Sequence, residues 1–183
     1  MKKCKHITCW TDYPFVELGD EPGKPARIRH VNIIAADWER LARFYEEVFG
    51  CVRIPPERRI SEPWLAKGTG VKGAALRGIK LALPGCGAGG PSLEVFQFDV
   101  VKGKPPAAAN RRGYGHLAFE VEDAAAALRE VVARGGSALG VVASHEDERG
   151  IFTFVFASDP EGNILELTHW KKKQTGPGHD LPP

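Results

Sequence analysis

Two histidines and two glutamates carry the chemistry that this sequence offers. His30 sits near the start of a β-branched run, Ile28-Arg29-His30-Val31-Asn32-Ile33-Ile34, and His116 opens a comparable one, Gly115-His116-Leu117-Ala118-Phe119. Glu94 and Glu166 stand in apolar strings, Ser92-Leu93-Glu94-Val95 and Ile164-Leu165-Glu166-Leu167. An ionised carboxylate is expensive to bury without a partner, and a cation relieves that cost. Imidazole and carboxylate together form a mixed nitrogen and oxygen donor set that suits a divalent Ni, Co, Mn, Fe or Zn ion. Taken singly, each residue has a plainer reading. A lone strand histidine is usually hydrogen-bonded in a core, and a glutamate on an apolar strand often faces solvent by alternation. The case for a metal therefore rests on repetition.

The repetition is arithmetical. His30 and His116, Asp37 and Asp123, and Gly50 and Gly136 share one offset of 86 (116 − 30, 123 − 37, 136 − 50). A histidine, a helix-capping aspartate and a helix-ending glycine thus keep one spacing in both halves, the mark of a duplicated unit. Glu94 and Glu166 differ by 72 (166 − 94), consistent with shorter loops in the second half and equivalent strand positions. A histidine on the first strand and a glutamate on the last can point to one face of a curved sheet, because side chains alternate along a strand. A pseudo-twofold relation would then bring both pairs onto one cation.

The elements that must hold these residues follow from the pattern of apolar and turn-forming residues. A first strand covers residues 28–34. Asp37 caps a helix whose apolar residues Trp38, Leu41, Ala42, Phe44, Tyr45, Val48 and Phe49 recur at three- and four-residue steps, and Gly50 stops it. Strands are expected at 51–54, 75–83 and 92–98, between Pro- and Gly-rich loops. The order restarts with a strand at 114–121, an Asp123-capped helix to about residue 134 ended by Gly135-Gly136, and strands at 138–143, 151–157 and 163–170. Asp159-Pro160-Glu161-Gly162-Asn163 reads as the turn before the last strand. The fold class is α+β, built from two βαβββ modules. The expected division is an N-terminal extension (1–27), a first module (28–100), a linker (101–112), a second module (113–170) and a tail (171–183). Trp64, in Trp64-Leu65-Ala66-Lys67-Gly68, reads as a core tryptophan before a loop, with a lid at the mouth of a site as the alternative.

Composition narrows the function classes. Apolar residues make up 43% and charged residues 26%, ordinary values for a globular chain. Lys plus Arg number 25 against 23 for Asp plus Glu, so no global field favours nucleic acid or an anionic membrane, and Lys171-Lys172-Lys173 reads as a solubilising end. No window approaches the ~18 apolar residues of a membrane span, and no signal peptide is evident. Cys4, Cys9, Cys51 and Cys86 lack CxxC spacing, which suits free thiols in a reducing cytoplasm. Cys4, His6 and Cys9 lack a fourth ligand at finger spacing. A small-molecule partner is expected.

From Arg29-His30-Val31-Asn32-Ile33 through Phe44-Tyr45 to Phe49-Gly50, and from Gly115-His116-Leu117-Ala118-Phe119 through Asp159-Pro160-Glu161-Gly162-Asn163 to Leu165-Glu166-Leu167, the chain resembles the vicinal oxygen chelate superfamily. That superfamily includes glyoxalase I, methylmalonyl-CoA epimerase, extradiol dioxygenases, and fosfomycin- and bleomycin-resistance proteins. The resemblance spans about residues 28–170. It implies a cupped, half-barrel mixed sheet with helices outside, and a metal that binds substrate through two adjacent oxygens. His30, Glu94, His116 and Glu166 fall on the ligand positions. The His-Glu-His-Glu set is similar to bacterial glyoxalase I, whereas the epimerases usually have Gln at the second position and the dioxygenases leave it without a protein ligand.

The implied activity is a metal-dependent lyase or isomerase that moves a proton next to a carbonyl through a metal-stabilised enediolate, with Glu166 and Glu94 as candidate bases. A non-catalytic protein binding an antibiotic-like molecule, and an Fe(II) extradiol-type dioxygenase, are the alternatives. A homodimer is also implied. The N-terminal extension and a Gly-rich excursion at 85–90 do not map onto glyoxalase I, and no glutathione-binding residues are identifiable, so the substrate is left open.

Overall fold

The computed structural model describes residues 28–87 and 89–173. The expected N-terminal extension, with Cys4, His6 and Cys9, and the tail beyond residue 173 lie outside the described residues. The order is β1 (His30–Ile34), α1 (Trp38–Phe49), β2 (Val52–Ile60), α2 (Pro63–Thr69), β3 (Leu76–Ala82) and β4 (Ser92–Phe98). The second half follows with β5 (Leu117–Glu120), α3 (Ala124–Ala133), β6 (Ser137–Ala138), β7 (Ala143–Glu146), β8 (Gly150–Ser158) and β9 (Ile164–Lys172). The class is α+β, with two mixed sheets that do not close.

The two halves repeat one topology. The first sheet runs β1-β4-β3-β2 and the second β5-β9-β8-β6, with β7 also paired to β8. In each, the opening strand lies parallel to the last strand of its half, and the other pairings are antiparallel. Among the described residues, β1 and β5 are therefore edge strands.

Helices α1 and α3 start at aspartates whose side chains cap them. The Asp37 carboxylate accepts from the Arg40 N–H at 3.1 Å, and Gly50 ends α1 in the left-handed conformation at φ 68°. Asp123 accepts from the N–H groups of Ala125 and Ala126, which hold its carboxyl below the usual range. Gly135, at φ 89°, turns the chain after α3, and the Gly136 N–H returns to the Val131 carbonyl.

Helix α1 packs on β3 and β4, and α3 on β8 and β9, so that Ile79, Leu81, Leu93 and Val95 share one core with Val155, Ala157, Leu165 and Leu167. Phe49 and Phe119 stack across the halves with centroids 3.9 Å apart, a contact worth ~0.5–1.5 kcal/mol beyond its buried area. The Ala36 and Asp37 N–H groups donate to Glu161, and Arg134 pairs with Glu47. The modules are thus joined through this shared core and these cross-module contacts.

Several boundaries differ from the sequence expectation. The second strand runs on through Pro55-Pro56 to Ile60, with a register shift between Ile54 and Arg58. An edge strand tolerates proline because its outward N–H has no ladder partner. Residues 63–69 form α2, with Pro63 at its start, and Trp64 is 60% exposed rather than in the core. The strand expected at 138–143 is split into β6 and β7 on either side of Gly140. Among the described residues, no helix is long and apolar enough to cross a membrane.

Candidate functional site

Strand register gives each half the same construction. On the parallel pair β1 and β4, Asn32 lies opposite Glu94, with His30 two residues earlier. On β5 and β9, Ala118 lies opposite Glu166, with His116 two residues earlier. A two-residue step returns to the same sheet face, so each imidazole reaches its carboxylate. His30 Nε2 is 3.4 Å from Glu94 Oε2, and His116 Nε2 is 3.1 Å from Glu166 Oε2. The glutamates are buried, at 7% and 8% exposure, while leucine and valine neighbours on the opposite face belong to the core.

The four residues thus come together as two pairs, one per sheet. Among the described residues, no group of three or more His, Cys, Asp or Glu side chains is arranged to hold a metal ion. Within each pair the donor chemistry suits one: imidazole nitrogen and carboxylate oxygen are both ligands of divalent ions, and here they stand at ion-pair distance from each other.

The halves differ at one equivalent position. Lys80 faces Glu94 across β3 and β4, and its Nζ lies 2.7 Å from Glu94 Oε1. The residue facing Glu166 across β8 and β9 is Phe156, whose ring packs 5.0 Å from that of His116. Glu94 therefore has an ammonium and an imidazole beside it, whereas Glu166 has an imidazole against an aromatic wall.

Both histidines open on one cavity of about 870 Å³, between the β1 edge and the start of β5. Its wall includes Tyr45, Lys104, Arg111 and Arg112, and among the described residues no Asp or Glu lines it. Lys104 is held at 2.5 Å by the Asn163 side-chain oxygen, in the turn before β9. The segment between β4 and β5, which has no helix or strand, thereby supplies a basic side to the cavity.

Behind the site, Asp159 ties the turn to α1. Its carboxylate accepts from the Tyr45 hydroxyl at 2.9 Å, the Glu161 N–H at 2.9 Å, the Asn163 N–H at 2.8 Å and the Asn163 side-chain amide at 2.7 Å. Burial raises the Asp159 pKa, and these donors only partly offset it. The Tyr45 pKa is pushed well above 10.0, first by burial and then by the adjacent Asp159 carboxylate. Burial also pushes the Cys51 thiol up to about 11, with Glu46 and Cys86 adding to the rise, so it is no nucleophile at neutral pH.

Sequence reasoning missed Lys80 and the Tyr45–Asp159 bond. The clue for Lys80 was a charge in the apolar run Gly78-Ile79-Lys80-Leu81, but its pairing with Glu94 depends on a register that passes through an irregular loop. His169 gives its Nδ1 to the Val121 carbonyl at 2.9 Å, a structural bond.

Residues 27–167 match the family model described as Glyoxalase/Bleomycin resistance protein/Dioxygenase superfamily. Among solved structures, the chain is similar to a glyoxalase family protein from Bacillus cereus, at 19% identity and a TM-score of 0.69, over 81% of this chain and 97% of that one. It is also similar to a glyoxalase family protein from Enterococcus faecalis, at 25% identity and a TM-score of 0.50, over 78% of this chain and 96% of that one. The first likeness is one of fold. Among curated proteins, none matches the sequence.

Proposed function

Because the chain belongs to the glyoxalase/bleomycin resistance protein/dioxygenase superfamily, we propose that it is a metal-dependent lyase or isomerase of the glyoxalase I type, moving a proton at the carbon next to a carbonyl. The observation that supports this most is the repeated His–Glu pair, built twice at one strand register. His30, Glu94, His116 and Glu166 would hold one divalent ion, with a second copy of the chain or closure of the two sheets bringing the pairs together. The exposed β1 edge, with Val31 and Ile34 uncovered, suits a homodimer. When bound, the cation would polarise the substrate carbonyl as a Lewis acid.

The chain's own residues do the rest. Glu166, which stands behind His116 and does not itself line the cavity, would take the proton from carbon and return it to the neighbouring position once the pairs are brought together, because its carboxylate has the lighter hold of the two and lies opposite the aromatic Phe156. Glu94, fixed by Lys80 and His30, stays in place as a ligand. Lys104, Arg111 and Arg112, which give the cavity a basic wall, orient an anionic substrate with adjacent oxygens. Scattered free thiols at Cys51 and Cys86 suit a cytoplasmic setting.

The test is exchange of the α-proton in D₂O, followed by proton NMR over a panel of α-hydroxycarbonyl thioesters and acyl-CoA compounds. Exchange should require added Ni or Co in chelator-stripped protein, and its absence for every compound and metal would overturn the enzymatic reading. A second reading, a protein that binds an anionic ligand without turnover, is favoured by the ion pair that Lys80 already gives Glu94. It predicts ligand binding that chelation leaves unchanged.

A further inference from the structure

We infer that Lys80 is an internal counter-ion that stands in for the divalent cation at Glu94, so that metal binds the first half only by displacing an ammonium. The inference rests on the metal-site reading above. Its grounds are the asymmetry between two otherwise matching pairs. At one cross-strand position the first half carries Lys80, 2.7 Å from Glu94 Oε1, and the second carries Phe156. The Glu94 side chain is 9% exposed and the Lys80 side chain 31%, so the ammonium reaches inward to a buried carboxylate while its stem keeps a route to solvent. A carboxylate buried beside a fixed cation has its desolvation cost already compensated.

A divalent ion entering between His30 and Glu94 meets a like charge on the same carboxylate, and part of its attraction is spent on moving that charge away. Glu166 imposes no such competition, because its facing residue is a phenyl ring. The His116–Glu166 pair is then the first anchor for a cation, and the His30–Glu94 pair engages second. Lys80 is accordingly a positioning residue. It fixes the Glu94 carboxylate before metal arrives and limits how tightly the metal is held.

Two measurements on chelator-stripped protein test this. In calorimetric titration with Co²⁺, Lys80→Met should bind about tenfold more tightly than wild type, the loss of one competing cation, and Lys80→Arg should bind like wild type. Lys80→Gln gives the same comparison should the methionine variant fail to fold. In metal-free thermal unfolding, Lys80→Met should lower the melting temperature in wild type far more than in Glu94→Gln, where no charge is left to compensate. Equal or weaker cobalt binding by both uncharged variants overturns the displacement while leaving the metal site standing. Absence of cobalt binding in wild type and all variants removes the site itself, and displacement with it. Equal melting losses in the two backgrounds overturn the counter-ion role.

Discussion

Glu166→Gln is expected to lower α-proton exchange by about 10²–10⁴-fold, the usual contribution of a positioned general base. The amide keeps the size of the side chain and an oxygen toward His116, which lies 3.1 Å from the carboxylate, so a loss that persists at saturating metal would report on proton transfer rather than on packing or cation binding. Glu94→Gln should act differently. Its carboxylate is gripped by Lys80 at 2.7 Å and by His30 at 3.4 Å, so substitution mainly weakens cation binding, and added metal should recover part of the rate. Rates measured against metal concentration separate the two. Full turnover by Glu166→Gln would rule out its role as the base.

The largest effect on stability is expected at Asp159. Asp159→Ala removes four hydrogen bonds at a residue 2% exposed and strands the Tyr45 hydroxyl and the Asn163 amides. Leaving buried donors unpaired and cutting a link between α1 and the turn before β9 should cost about 3–5 kcal/mol. For a chain of this size that is a fall in melting temperature of order 10 °C. A change under a few degrees would mean that the turn holds without the carboxylate.

The pH dependence has a definite sign. Burial raises the folded-state pKa of Asp159 above 3.8, so the stability linked to its protonation is fully present below that unfolded value and is lost as pH rises through the folded pKa. Asp159→Asn, which does not titrate, lacks this gain. The margin of wild type over Asp159→Asn in denaturant melts should therefore widen as pH falls from neutral.

The repeat and its ligand candidates were legible because they depend on local chemistry. Asp37 and Asp123 cap helices wherever the chain places them and, like His30 and His116, keep the offset of 86, whereas the helices differ in length at 12 and 10 residues and the left-handed glycine after the second is Gly135 rather than Gly136. The pairing of His30 with Glu94 and of His116 with Glu166 could be anticipated from side-chain alternation along strands. What escaped was non-local. Lys80 meets Glu94 only through the β3–β4 register, and Tyr45 meets Asp159 across 114 positions of chain. Trp64 looked like core from its type alone, yet it lies on a short helix whose buried residue is Leu65. The separation of the two His–Glu pairs was also beyond sequence, because it depends on how the modules pack through Phe49, Phe119 and the helices.

In the proposed function, one cation needs both halves of the chain. Thermal unfolding of chelator-stripped protein with and without Co²⁺, for wild type, Glu94→Gln and Glu166→Gln, tests it most directly. At a metal concentration near 100 times the dissociation constant, mass action stabilises the folded state by about 2.7 kcal/mol. Wild type should therefore melt several degrees higher with cobalt, and both variants should lose that rise. No rise in wild type, or a full rise in either variant, would contradict the account.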